Sequence, residues 1–302
     1  MVLMAWILDL AANDAQGAAM LCTQRQRFRK SPAGLLVQPR ESKVIPIMNN
    51  ILDSFRLDNK IALVTGSAGG MGAAIATALA EAGATVATHD RKPPTETVHH
   101  IEEEGGHAAK FKADLSNPHG AERLFEHVIE KFGRIDILVN NAGMILREDA
   151  VNVPLHDWQT VIQVNLTSVF QLSQLAGRDM IKRGEGGKII NIASLLSFQG
   201  GIRVPSYAAS KGAVAQVTKA LANEWASKGI QVNAIAPGYI ATNNTAQLRA
   251  DPERSKAILD RIPAGRWGEA TDVAGTAVFL ASRAADYITG HVLVVDGGWM
   301  AR

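Results

Sequence analysis

Seven short apolar runs recur through this 302-residue chain, at 60–65, 84–89, 107–111, 135–139, 187–192, 230–235 and 291–295. They are apolar on both faces and bounded by Gly, Asn or Asp. A strand of that kind must be covered on both sides, which a sheet with one wet face does not allow. Helix-length stretches lie between the runs, at 70–82, 95–104, 118–132, 155–183, 206–228 and 270–282. Strand–helix alternation signals parallel pairing, because parallel neighbours need a long crossover. The expectation is an α/β fold, a parallel sheet with helices on both faces. Residues 48–302 read as one domain, with no internal repeat or linker.

Composition excludes several functions. Apolar residues make up 47% of the chain and the formal net charge is +2, so the chain is not of the disordered class. No run approaches the roughly 18 apolar residues of a membrane span. The single cysteine, Cys22, rules out a disulfide framework and a thiolate cage, and the eight histidines lack ligand spacing, so no metal is expected. Residues 1–47 hold Arg25, Arg27, Arg29, Lys30, Arg40 and Lys43 against Asp9, Asp14 and Glu41, which leaves the remainder close to neutral. No nucleic-acid partner is expected from such a body. The opening MVLMAWIL is short, lacks a positive start and meets Asp9, so it fails as a signal peptide; the acids also argue against a transit peptide. Pro32, Gly34 and Pro39 interrupt what periodicity remains. Residues 1–47 are expected to be an extension, disordered or translated from an upstream start, with Met48 the natural beginning. The protein is expected in the cytoplasm.

The first strand runs into Thr65-Gly66-Ser67-Ala68-Gly69-Gly70-Met71-Gly72 and then an Ala-rich helix. Glycine lets backbone turn sharply and approach a pyrophosphate, whose charge sits against the helix N-terminus. No Gly-Lys-Ser/Thr follows, which argues against a phosphate-loop nucleotidase. Asp90 closes the second strand, where an acid can accept from ribose hydroxyls and repel a 2′-phosphate. The expectation is NAD(H) over NADP(H), with the neighbouring Arg91 as the group that would favour the phosphate.

Tyr207 and Lys211 stand four apart at the start of a helix and share one face. A nearby ammonium favours phenolate, which would let Tyr207 exchange a proton with a substrate oxygen near neutral pH. Ser194 follows the fifth strand, at the edge where loops of a parallel sheet meet ligands.

Thr65-Gly66, Gly70, Gly72, Asp114, Asn140-Asn141-Ala142-Gly143, Asn165, Ser194, Tyr207, Lys211 and Pro237-Gly238 come in the order found in short-chain dehydrogenases/reductases, and the chain resembles that family over about residues 55–302. The resemblance implies a Rossmann-type, doubly wound sheet of seven strands and NAD(P)-dependent carbonyl/alcohol interconversion. It implies Tyr207 as acid/base, Lys211 lowering its pKa and binding the nicotinamide ribose, Ser194 orienting the substrate oxygen, and Asn165 anchoring a water that links Lys211 to solvent. The implied cofactor contacts are Gly66, Ser67, Gly70, Met71, Gly72, Asp90, Asp114, Leu115, Asn141, Ala142, Gly143, Tyr207, Lys211, Pro237, Gly238, Ile240 and Thr242.

Residues 188–208, 233–251, 258–268 and 296–302 resemble more narrowly the members that interconvert keto-sugar acids and their hydroxy forms in uronate (pectin) breakdown. Such a substrate needs a fixed cation and polar donors. Arg147, Arg203 and Gln199, with Ser194 and Tyr207, are the substrate candidates, and Asn243-Asn244 could address hydroxyls. The stripe Trp158, Val161, Ile162, Val164, Val169 and Phe170 reads first as helix packing against the sheet or another subunit, with a cofactor lid as the alternative. The family resemblance implies a homo-oligomer, a tetramer. The rival readings are a reductase of ketogluconates or acyl-carrier-protein thioesters and, from another class, a non-catalytic NAD(H)-sensing module.

Overall fold

In this computed structural model, which describes residues 50–302, the chain weaves seven strands into one parallel sheet. The expectation for residues 1–47 lies outside the described residues. In chain order the elements are β1 (Ile61–Thr65), α1 (Gly70–Glu81), β2 (Thr85–Asp90), α2 (Thr95–Glu103), β3 (His107–Lys112), α3 (Gly120–Phe132), β4 (Ile137–Asn140), α4 (Leu155–Ile162), α5 (Ser168–Arg183), β5 (Gly187–Ile192), α6 (Pro205–Trp225), β6 (Ile230–Pro237), α7 (Ala246–Ala250), α8 (Pro252–Leu259), α9 (Ala270–Ala281) and β7 (Val292–Val295). All seven expected strands are present. The expected helix over 155–183 is divided by a wide π turn, Gln163–Thr167, which joins α4 to α5. The short helices α7 and α8 were not foreseen.

Alternation along each strand sends side chains to two separate cores. Ala62, Val64, Ile137, Val139 and Ile190 face one side, where Ile75 and Leu79 of α1 and Val273 and Leu280 of α9 meet them. Leu63, Leu138 and Ile189 face the other, against Leu124 and Val128 of α3, Leu172 and Met180 of α5 and Leu221 of α6. Each such buried aliphatic side chain is worth about 1.5–3 kcal/mol relative to exposure. On the α4–α5 stripe, Val161 and Val169 are buried, whereas Trp158 and Phe170 stay 36% and 41% exposed.

The strand order is β3-β2-β1-β4-β5-β6-β7. The chain builds outward from β1 through β2 to β3, then crosses back to lay β4 on the other side of β1, in register Val64 to Val139. Connections therefore diverge above the carboxyl ends of β1 and β4. That divergence opens the crevice where such sheets bind ligands.

Candidate active site

The floor of the crevice is the turn after β1. Gly66 and Gly70 take left-handed φ values of 67° and 56°, conformations that are strained for side-chain-bearing residues. A Cβ at Gly72 would collide with the Gly66 carbonyl and the Asn141 amide. Asn141 fills the gap as a clamp: its Nδ2 donates to Thr65 O and Gly66 O, both at 2.9 Å. The N-terminus of α1 has neither a side-chain cap nor an acid in its first turn, so its amide dipoles face the crevice uncompensated.

A cavity of about 520 Å³ lies above this floor, within the size range of cofactor sites. Of the expected cofactor contacts, Gly66, Gly70, Met71, Gly72, Asp90, Asp114, Leu115, Asn141, Ala142, Gly143, Tyr207, Lys211 and Thr242 line it. Asp90 lies at one end, its carboxylate accepting from Ala68 N–H (3.3 Å) and Arg91 N–H (2.7 Å). Asp114 accepts from the N–H and hydroxyl of Ser116 (2.9 and 2.7 Å), bonds that hold its carboxyl below the usual range. His89, Met144, Thr160, Val164, Asn243 and Asn244 also line the cavity. No local motif marks His89, Met144 or Thr160, because packing brings them there, whereas Val164 belongs to the expected apolar stripe along α4–α5.

Four expected contacts differ. Ser67 is fully buried, accepting from His89 N–H (2.9 Å) and donating to Val64 O (3.1 Å), so its hydroxyl braces the turn against β2. Pro237 ends β6, and Gly238 passes so close to Asp296 that a Cβ would lie 2.6 Å from its Cα. Ile240 packs into the core on the α1–α9 side. None of the four lines the cavity.

Tyr207 and Lys211 project from the first turns of α6 into the other end of the cavity. Lys211 Nζ lies 5.7 Å from the phenol ring centre and donates to Ile192 O at 2.5 Å. Burial pushes this ammonium down to about 8. Burial also raises the Tyr207 phenol above its ordinary value, while the Ser194 hydroxyl beside it and the charge of Arg147 pull it back. Lys211, expected to favour the phenolate, stands over the same ring. Asn165, in the π turn, is fully buried. Its Oδ1 accepts from Met144 N–H (2.8 Å), and its Nδ2 donates to Met144 O (2.9 Å) and Ser210 Oγ (3.2 Å). The expected water anchor therefore has its amide engaged in holding the 141–144 loop beside Lys211.

The substrate candidates divide. Arg147 is half-buried and donates from Nη2 to Asn244 O at 3.0 Å, with no carboxylate partner among the described residues. Arg203 is instead paired through Nε with Asp149 (3.0 Å), while its own carbonyl accepts from Glu148 N–H (3.0 Å). Its φ of 62° makes it a strained corner that joins two loops. Gln199 has both ends of its amide bonded to the C-terminal segment. Arg203 and Gln199 thus have side-chain partners within the protein, whereas among the described residues Arg147 has only a carbonyl.

A glycine floor at a topological switch point, with phenol, ammonium and hydroxyl gathered at its far end, defines an oxidoreductase that works on hydroxyl groups with a nicotinamide dinucleotide. The family model described as Enoyl-(Acyl carrier protein) reductase matches residues 66–300, and the chain belongs to the short-chain dehydrogenase/reductase family. The 2-dehydro-3-deoxy-D-gluconate 5-dehydrogenase of Dickeya dadantii is 55% identical over 252 residues, which span 83% of this chain and 100% of that one. The Bacillus subtilis enzyme of the same name is 57% identical over 260 residues, 84% of this chain and 100% of its own. The crystal structure of a gluconate 5-dehydrogenase from Burkholderia cenocepacia in complex with NADP and tartrate is 40% identical, has a TM-score of 0.79, and covers 84% of this chain and 100% of its own.

Proposed function

We propose that the chain interconverts a keto-sugar acid and its hydroxy form with NAD(H), as a 2-dehydro-3-deoxy-D-gluconate 5-dehydrogenase of uronate breakdown. The observation that carries this reading is Arg147, a half-buried cation resting on a carbonyl and close enough to act on the Tyr207 phenol. A guanidinium so placed has donors left for a carboxylate held beside the reacting oxygen. The identity to relatives named for that activity supports the same substrate class.

When bound, the nicotinamide supplies or takes up the hydride. Tyr207 gives its phenolic proton to the carbonyl oxygen in reduction and takes one from the hydroxyl in oxidation. Ser194 donates to the same oxygen and holds it in line with the phenol. Lys211, held by Ile192 O, is mostly protonated at neutral pH and offers its remaining N–H groups to the nicotinamide ribose. Asp90 favours NAD(H), since its carboxylate sits where a 2′-phosphate would be repelled; Arg91, at the same end of the cavity, is the competing influence. The exposed Trp158 and Phe170 support an oligomer, read as a tetramer. Among the described residues no helix is long and apolar enough to cross a membrane, which fits a cytoplasmic enzyme.

The test follows NADH oxidation across keto-sugar acids, ketogluconates, acyl thioesters and an uncharged ketone, repeated with NADPH. The expected result is fastest turnover of the keto-sugar acid with NADH. Arg147→Ala should raise KM for the sugar acid about 30-fold more than for the uncharged ketone. Equal effects on both would remove Arg147 from recognition, and preference for NADPH would overturn the role given to Asp90. NADH binding without turnover on any substrate would leave a dinucleotide-sensing module instead.

A further inference from the structure

Gln199 ends the loop that Ser194 begins, and its side chain crosses to the far end of the sequence. Nε2 donates to Met300 Sδ at 2.8 Å, and Oε1 accepts from Trp299 Nε1 at 3.3 Å. The loop between is short and internally stitched. Ser194 Oγ accepts from Leu196 N–H (3.1 Å), Ser197 N–H donates to Ser194 O (2.9 Å), and Gln199 N–H donates to Leu195 O (3.0 Å). Ser197 Oγ donates to Lys211 O (2.6 Å), which fixes the loop to α6. A displacement of Gln199 is therefore passed to Ser194 through a single turn of backbone.

The other side of this contact is equally fixed. The Asp296 carboxylate accepts from the N–H groups of Gly298 (2.8 Å) and Met300 (2.7 Å). The Arg261 guanidinium sits 4.0 Å from the centre of a Trp299 ring, and the Tyr239 ring centre is 4.6 Å away. Leu195, next to Ser194, shares one buried cluster with Trp299, Ile258 and Ile262. A rigid anchor, a two-point amide contact and a one-turn loop thus stand in series.

We propose that the C-terminal segment, acting through Gln199, is the strut that positions Ser194 against the reacting oxygen. Gln199, Trp299 and Met300 are positioning residues: they bear on the substrate only through Ser194. The inference rests on the role given to Ser194 in the proposed function.

The test uses the full chain and three variants. Gln199→Leu removes both amide contacts at similar volume, Trp299→Phe keeps an aromatic ring but removes the donor, and Ser194→Ala sets the reference. Oxidation of 2-dehydro-3-deoxy-D-gluconate is followed against pH, together with Tm and the NADH dissociation constant from fluorescence. Gln199→Leu should lower kcat about tenfold, with KM and NADH binding within about twofold. Its ascending pH limb should move to higher pH, as in Ser194→Ala, since the Ser194 hydroxyl is one of two groups that pull the Tyr207 phenol down. The charged groups set against that phenol, Arg147 and Lys211, are the same in every variant. Trp299→Phe should give a smaller shift of the same sign. A limb that moves in Ser194→Ala but in neither of the others overturns the strut and leaves the proposed function standing, whatever happens to Tm. A limb that stays in place in Ser194→Ala overturns the role of Ser194 and the strut with it.

Discussion

At the amino ends of the central strands, Arg134, Asp136, Arg183 and Glu185 neutralise one another; at the carboxyl ends, Lys211 and Arg147 rest on main-chain carbonyls. Asp136 is 4% exposed, accepts from Ile61 N–H (3.0 Å) on one oxygen and from Arg183 on the other, and is gripped by Arg134 through both. Arg134 also reaches Glu185 (2.6 Å), and Arg183 reaches Asp179 (2.9 Å). Carboxylates that are fully engaged hold the strand ends together and leave nothing for a ligand. Lys211 and Arg147 bond to Ile192 O and Asn244 O, and a carbonyl holds a cation in place without cancelling its charge. Similar side chains therefore serve cohesion at one edge and chemistry at the other, according to what sits beside them.

Three measurements would break or sharpen this contrast. The largest effect belongs to Tyr207→Phe, which should cut turnover about a thousandfold while NADH still binds within about twofold. Activity surviving within about threefold would show that the proton comes from elsewhere. Next is Asp136→Asn, which leaves Arg134 and Arg183 facing a neutral amide and should cost about 3 kcal/mol in urea unfolding, with kcat unchanged. A matching fall in kcat would mean that the two edges are not independent. The smallest effect is in the pH dependence of stability. Lys211 titrates at about 8 in the fold and has an ordinary value of 10.5, so between these values the unfolded chain binds more protons and stability rises with pH. The rise from pH 8 to 10 should be about 2 kcal/mol and should vanish in Lys211→Met. Above pH 10 the raised phenol of Tyr207 works in the opposite direction, because the unfolded chain ionises first.

Most of the sheet was legible because β1, β2, β4, β5 and β6 are largely buried on both faces and read as apolar runs, whereas in the edge strand β3 only Phe111 is buried. Helices α7 and α8 were not, since Gln247, Arg249, Glu253 and Lys256 give 246–259 the look of a polar loop. Asp251 nonetheless caps α8 through Arg254 N–H (3.0 Å), with Pro252 in its first turn. The glycine floor and the Tyr207–Lys211 pair were visible because their spacing is local. Fates decided across the fold were not: Arg203 pairs its charge with Asp149, and Gln199 hydrogen-bonds its neutral amide to partners a hundred residues away. Their residue types suited a substrate equally well, and only tertiary placement separated them from Arg147.

The wide turn at Gln163–Thr167 carries one residue more than a regular helix would need at that point. Deleting a residue there would let α4 run smoothly into α5, yet would swing everything on one side by about 100° around the axis. Asn165 would lose Met144, and Val169 would leave the interior for water. The irregularity thus works as a phase adjustment, letting one continuous rod present its amide to the loop beside Lys211 and its apolar side to the sheet.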